Sequence, residues 1–155
     1  MNDAIEIELM EEILNKGNEL QFKALGGSMY PLIRSGDIIT VKPIKIGDVT
    51  VGDIIFYKNK NKYFVHRLIK IVNDKSTFIT RGDFLPQYDD PIDSSQILGK
   101  VVAVKRGNKT KNYNTYWMRK FNSLIILIYP LFYPVLTFIY KVLTAIFKIK
   151  RVFKL

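Results

Sequence analysis

Between residues 20 and 106 the chain is a succession of short runs rich in Ile, Val, Phe and Tyr, at 20–25, 38–42, 54–58, 63–72, 77–80 and 97–105. Turn formers separate them, among them Gly47-Asp48, Gly52-Asp53, Asn59 to Asn61, Asn73-Asp74 and Gly82-Asp83. β-branched and aromatic side chains suit a pleated, half-buried surface, and Gly, Asn and Asp accept the backbone angles of tight turns. Many short strands with little helix among them leave an all-β core as the expected architecture. A chain of 155 residues is long enough to bury such a core within one domain. No internal repeat is evident.

Two different sequences flank this core. Residues 3–15, DAIEIELMEEILN, predict a short amphipathic helix: Ile5, Leu9 and Ile13 recur every fourth residue, joined by Met10 and Leu14. Asp3 and Glu6 have capping-box spacing, and Gly17 suits the stop. The segment lacks the basic start and apolar centre of a secretory signal. At the other end, residues 123–140 carry no charge, which is close to the roughly 20 apolar residues needed to cross a bilayer. Trp117, Tyr129, Tyr133 and Tyr140 supply interfacial aromatics, and Pro130 and Pro134 are kinks that membrane helices tolerate. A buried core helix, a helical hairpin or a kinked segment lying in the interface are the alternatives to a full crossing.

Charge separates the same regions. The formal net charge is +10, yet residues 105–155 hold eleven basic residues and no acidic one. The first 104 residues hold thirteen basic against fourteen acidic. A basic tail serves nucleic acid or an anionic membrane surface. Here the basic clusters bracket lipid-like sequence, so a phospholipid membrane is the expected partner and nucleic acid is not. The expected organisation is an N-terminal helix (1–17), a β-rich domain (18–106), a basic linker (107–120), an apolar membrane segment (121–148) and a basic tail (149–155).

Candidate chemistry centres on residues 24–42, ALGGSMYPLIRSGDIITVK. Gly26-Gly27 precede Ser28, and Pro31 follows three residues later. Glycine before a nucleophile allows a tight turn and close approach of a substrate chain. A Gly-rich turn that happens to hold a serine is the plainer reading. The chain has no cysteine and one histidine, His66, which excludes thiolate chemistry, disulfides and Cys- or multi-His zinc sites. Nothing suggests a metal or organic cofactor. A serine hydroxyl near pH 7 needs a neutral imidazole within hydrogen-bond reach, and that imidazole needs a carboxylate on its far nitrogen. Asp83, Asp89 and Asp90 are the carboxylates that follow His66 most closely in plausible contexts. Ser35, Ser94 and Ser95 lie in plainer turns.

The local contexts resemble the signal peptidase I family, in the branch found in the endoplasmic reticulum, archaea and endospore-forming bacteria. The motifs are Gly27-Ser28-Met29-Tyr30-Pro31, Gly36-Asp37-Ile38-Ile39, Gly52-Asp53-Ile54-Ile55-Phe56-Tyr57, His66-Arg67-Leu68-Ile69, Gly82-Asp83 with Asp89 six residues on, and Gly99-Lys100-Val101-Val102. They keep the family's order and span residues 24–104, about half the chain. The resemblance implies a β-rich catalytic fold, Ser28 as nucleophile and His66 as general base where the eubacterial housekeeping branch uses lysine. It implies Asp89 as the orienting acid, with Asp83 the family's second aspartate position and Asp90 one residue out of register. LexA-type repressors are similar around the serine but use lysine, and no DNA-binding helix pair is apparent here.

Two departures accompany the resemblance. A serine two residues before the nucleophile often helps to bind the oxyanion in that family, and here the residue is Gly26. Many members also carry a membrane anchor ahead of the nucleophile, whereas this chain has its apolar segment after the domain. Its basic flanks are balanced, six residues before and five after, so orientation is not set by the positive-inside rule. The expectation is a cell-membrane-associated serine endopeptidase that removes signal or leader peptides, with the side of the membrane its catalytic domain faces left open. The alternatives are a cytoplasm-facing leader peptidase dedicated to a modified-peptide precursor and a non-catalytic relative that binds peptide or lipid. The expected partner besides lipid is a precursor peptide; the sequence leaves the oligomeric state open.

Overall fold

A computed structural model describes residues 3–60 and 62–113, together with residues 124, 134, 135, 138, 139, 141 and 142 farther along, and the side chains from residue 9 onward. The expected capping pair Asp3 and Glu6 therefore lies outside the described side chains. Most of the expected linker, apolar segment and basic tail also lies outside. Of the apolar segment, the described positions are helical and exposed. Among the described residues no helix is long and apolar enough to cross a membrane.

The fold is mainly β, an antiparallel sheet with a short N-terminal helix. Helix α1 (Asp3–Asn15) is followed by strands β1 (Leu20–Lys23), β2 (Ile38–Lys42), β3 (Ile54–Asn59), β4 (Lys62–Val72), β5 (Thr77–Arg81), β6 (Ile92–Asp93), β7 (Ile97–Arg106) and β8 (Lys109–Asn112). The sheet order is β1-β2-β7-β3-β4-β5-β6, with β8 on β7. Gly17 ends α1 at φ +85°, where Asn18 donates to the Ile13 carbonyl at 3.2 Å.

Strand β3 explains why one sheet supports two cores. Its residues Ile54, Ile55, Phe56 and Tyr57 are all buried, so it reads as a continuous apolar run rather than an alternating one. Successive side chains point to opposite faces. Ile54 and Phe56 join Leu20, Ile39, Val41 and Val101 in one cluster. Ile55 and Tyr57 join Val49, Leu68, Phe78 and Ile92 in the other. Irregularities in register at Thr40/Val41, Phe56/Tyr57 and Leu68/Lys70 bend the sheet locally, as bulges do.

Two strands fall outside the expected set. Residues 109–112 were expected in a linker, but they form β8, pairing Arg106 with Lys109 and Ala103 with Asn112. The physical reason is the Gly107-Asn108 turn, which folds the chain back onto β7 in a hairpin. All four residues of β8 are exposed, so no apolar alternation marks them. The two-residue β6 is too short to show a period.

The loop that carries Ser28 is closed at its base by Asp37. Ala24 donates to the Asp37 carbonyl at 2.8 Å, and Asp37 Oδ2 accepts the Arg34 N–H at 2.8 Å. Arg106 grips both carboxylate oxygens, Nε to Oδ1 at 2.8 Å and Nη2 to Oδ2 at 2.6 Å. The Arg106 hydrogen bonds hold the Asp37 carboxyl below its usual range; burial opposes them, and the Arg34 amide adds to them. A carboxyl more acidic in the folded than the unfolded state stabilises the fold above its unfolded pKa and loses that contribution as pH falls through the folded value. Asp37→Asn is therefore expected to lower Tm at pH 7, and the gap from the wild type should narrow below about pH 4. Calorimetry across that range checks it; a gap that stays constant with pH would contradict it.

Candidate active site

Ser28 sits where three constraints meet. Met29 and Ile33, both buried, pin the loop to the core, and Ile33 donates to the Met29 carbonyl at 3.0 Å. Behind the serine, Phe84 N–H donates to the Ser28 carbonyl at 2.8 Å. Gly82 presses against the same residue. A Cβ at position 82 would lie 2.7 Å from the Ser28 carbonyl oxygen and 2.9 Å from its Cβ, distances no side chain accepts. Only glycine lets the 82–84 turn rest on the serine.

His66 reaches Ser28 from β4. Its Nε2 lies 3.0 Å from Ser28 Oγ, and its Nδ1 lies 2.7 Å from Asp89 Oδ2. The histidine is 4% exposed. Asp89 is held in place by its own N–H, which donates to the Thr80 carbonyl at 2.9 Å. Thr80 Oγ1 also reaches Asp89 Oδ2, at 2.7 Å, and Tyr57 OH reaches it at 3.1 Å. Burial alone would push the Asp89 carboxyl up, but hydrogen bonds from His66 first, then Thr80 and Tyr57, hold it below its ordinary value. Burial pushes the Tyr57 phenol well up, opposed by Thr80 and reinforced by the Asp89 charge. Tyr57 is thus a neutral hydroxyl at any physiological pH.

The other two carboxylates are employed elsewhere. Asp83 takes both forks of Arg67, Nε to Oδ1 and Nη2 to Oδ2, each at 2.7 Å. Arg67 is fully buried and sends its third donor, Nη1, to the Gly52 carbonyl at 2.9 Å. Asp90 faces solvent and pairs with Lys60 at 2.7 Å. Of the three candidate carboxylates, the fold brings Asp89 to His66 and turns Asp83 and Asp90 away. Asp83 instead braces the turn that contacts Ser28. Asp53 has a turn-forming role: it accepts from the Thr50 N–H and Oγ1 and pairs with Lys100 at 3.2 Å.

Gly26 has φ +83°, a conformation that disfavours any side chain, including the serine expected at that position in the resembled family. Among the described residues no hydrogen bond uses the Ser28 backbone N–H, which leaves it as a donor for an oxyanion. Ser28 and His66 form part of the wall of a cleft of about 700 Å³. Phe22, Ala24, Ile33, Phe56 and Val65 line its apolar side, joined by Met10 of α1. Glu11 fixes that helix to the sheet through Lys58 at 2.7 Å and through the Tyr63 hydroxyl.

The arrangement sets a hydroxyl, an imidazole and a carboxylate in the hydrogen-bonded order that a nucleophile, its base and the base's orienting group require. The sequence profile of the Peptidase S24-like family matches residues 2–102. The chain belongs to the Peptidase S24-like family. Membership points to serine-peptidase-type activity. No curated protein matches the chain. Within this S24-like domain the hydrogen bond of Ser28 Oγ goes to an imidazole rather than to an amine. Sequence reasoning missed Tyr57, Thr80 and Arg67 as parts of the site. The available signal was position alone: Arg67 directly follows His66, Tyr57 closes the motif that begins at Gly52, and Thr80 lies two residues before Gly82.

Removing one partner of a buried charge pair leaves the other uncompensated, a loss of about 3–5 kcal/mol. Asp83→Asn should therefore lower unfolding stability in urea by that order while the Ser28–His66–Asp89 contacts remain. Near-native stability in this variant would mean that the Arg67 pair is not what Asp83 supports.

Proposed function

We propose that this protein is a membrane-associated serine endopeptidase of the signal peptidase I type, which removes a signal or leader peptide through an acyl-enzyme. The observation that carries the reading is the unbroken line from Ser28 Oγ to His66 Nε2 and from His66 Nδ1 to Asp89. With Nδ1 protonated and donating to the carboxylate, Nε2 offers its lone pair to the serine. Ser28 Oγ attacks the scissile carbonyl carbon as its proton passes to Nε2, and Asp89 stabilises the imidazolium. The oxyanion rests on backbone N–H groups, that of Ser28 among them. The C–N bond then breaks, and Nε2 delivers its proton to the departing amine. A water attacks the ester in the same manner, giving its proton to Nε2, which returns it to Ser28 as the peptide acid leaves.

The choice of substrate rests on three supports. The motif order from Gly27-Ser28 to Gly99-Lys100 and the histidine in place of lysine favour the signal peptidase branch. The apolar cleft beside Ser28 suits an extended peptide with apolar side chains, laid along a strand edge. The helical positions Leu124, Val135, Phe138, Ile139 and Val142 expose apolar side chains, which fits a segment lying at or in lipid.

Co-expression of a tagged precursor bearing a typical signal peptide tests it. Wild type should trim the precursor, and Ser28→Ala and His66→Ala should each lose about 10⁴-fold or more in rate. Trimming that survives Ser28→Ala would sink the mechanism. Failure of wild type on signal peptides together with Ser28-dependent cutting of a dedicated leader would keep the chemistry and change the substrate.

A further inference from the structure

Three donors from three neighbouring strands converge on one oxygen. Asp89 Oδ2 lies 2.7 Å from His66 Nδ1, 2.7 Å from Thr80 Oγ1 and 3.1 Å from Tyr57 OH. The register explains the convergence: Tyr57 of β3 opposes Phe64 of β4, and Thr80 of β5 opposes Leu68. Residues 64, 66 and 68 alternate on one face of β4, so Tyr57, His66 and Thr80 share that face. Tyr57 is 1% exposed and Thr80 is fully buried.

The protons of this cluster have a definite order. Thr80 has one proton, and the carboxylate is its strongest acceptor at the shortest distance. The Tyr57 phenol then donates to Oδ2, at 3.1 Å, with Thr80 Oγ1 a further 2.9 Å neighbour of its oxygen. Tyr57 OH is also 3.5 Å from His66 Nδ1. If its other acceptors were withdrawn, the phenol would turn toward Nδ1, and the imidazole proton would shift to Nε2. Ser28 would then face an N–H in place of a lone pair, the wrong tautomer for a base. The other charged side chains of the neighbouring loops are engaged elsewhere, Asp83 on Arg67, Asp90 on Lys60, and Arg81 over the Tyr88 ring at 5.2 Å.

We propose that Tyr57 and Thr80 are positioning residues that hold Asp89 Oδ2 on His66 Nδ1 and thereby fix the histidine in the tautomer that leaves Nε2 free for Ser28. The inference rests on the proposed role of His66 as base. Neither hydroxyl touches the substrate; both act through the carboxylate. Two hydroxyls do here what a single rigid contact would not, because they restrain the carboxylate from two strands at once.

His66 is the only histidine in the chain, so its ring nitrogens give the only imidazole signals in a ¹⁵N spectrum of the full-length protein in detergent micelles. At pH 8 the wild type should show Nδ1 protonated and Nε2 bare. Thr80→Val and Tyr57→Phe should each shift the ring toward a mixture of tautomers, and Thr80→Ser should keep the wild-type pattern. On a cleaved precursor, Thr80→Val and Tyr57→Phe should lower kcat by about 10- to 100-fold, the range of outer partners at other sites, with KM little changed. A wild-type tautomer pattern in both variants overturns the proposal, whatever happens to the rate. A tautomer shift without any precursor cleavage by wild type upholds the positioning role and instead removes the peptidase reading.

Discussion

Strand β3 is buried on both faces, and most of the molecule follows from that. Its alternating residues supply apolar bulk to two cores at once, so the sheet around it must be covered on either side. β4 and β7 flank it, and through them it reaches nearly every other strand. The last buried residue of the run, Tyr57, departs from pure hydrophobicity. Its ring belongs to one core, stacked on Phe64 at 5.4 Å, while its hydroxyl leaves the apolar cluster and meets Asp89. A tyrosine is suited to this position because its body is apolar and its tip is a hydrogen-bonding group. The carboxylate that faces His66 is thus anchored to the most deeply buried part of the fold.

The aspartates show how one residue type is put to unlike uses by what the sheet sets beside it. Asp37 fastens the base of the serine loop to β7, and Asp53 shapes the turn that feeds β3. Asp83 neutralises a guanidinium that is entirely cut off from water. Asp89 faces an imidazole. Each is satisfied by several donors, which is what lets four carboxylates with little exposure persist together. The pairing of Asp83 with Arg67 has a further role in shaping the site. It stiffens the turn whose glycine and Phe84 N–H seat Ser28 from behind, so the serine is held by that turn as well as by its hydrogen bond to His66.

Much of this was legible in the amino-acid sequence, for reasons that differ by element. The six expected runs correspond closely to β1, β2, β3, β4, β5 and β7, because β-branched and aromatic residues bounded by Gly-Asp turns leave few alternatives. Helix α1 and its glycine stop were legible from a four-residue apolar repeat. Ser28 and His66 stood out because each is singular, one in a glycine context and the other the chain's lone imidazole. The choice among Asp83, Asp89 and Asp90 was not legible from spacing, and only the family resemblance pointed to Asp89. Spacing along a loop does not say which carboxylate the loop carries inward, and that depends on the Asp89 N–H meeting the Thr80 carbonyl. Strand β8 was hidden because a hairpin arm exposed on both faces has no apolar period. Thr80 and Tyr57 looked like ordinary strand residues, since alternation reports the face of a strand and not what converges on it.

Helix α1 contributes Met10 to the cleft and is tied down through Glu11 to Lys58 and Tyr63, yet none of the groups that contact the serine or the histidine comes from it. The cleft is walled mostly by the sheet and the serine loop, with one methionine added from outside them. A substitution at Met10 can therefore reshape the rim while the contacts among Ser28, His66 and Asp89 stay as they are. The space beside the serine and the hydrogen-bonded cluster behind it are free to vary separately.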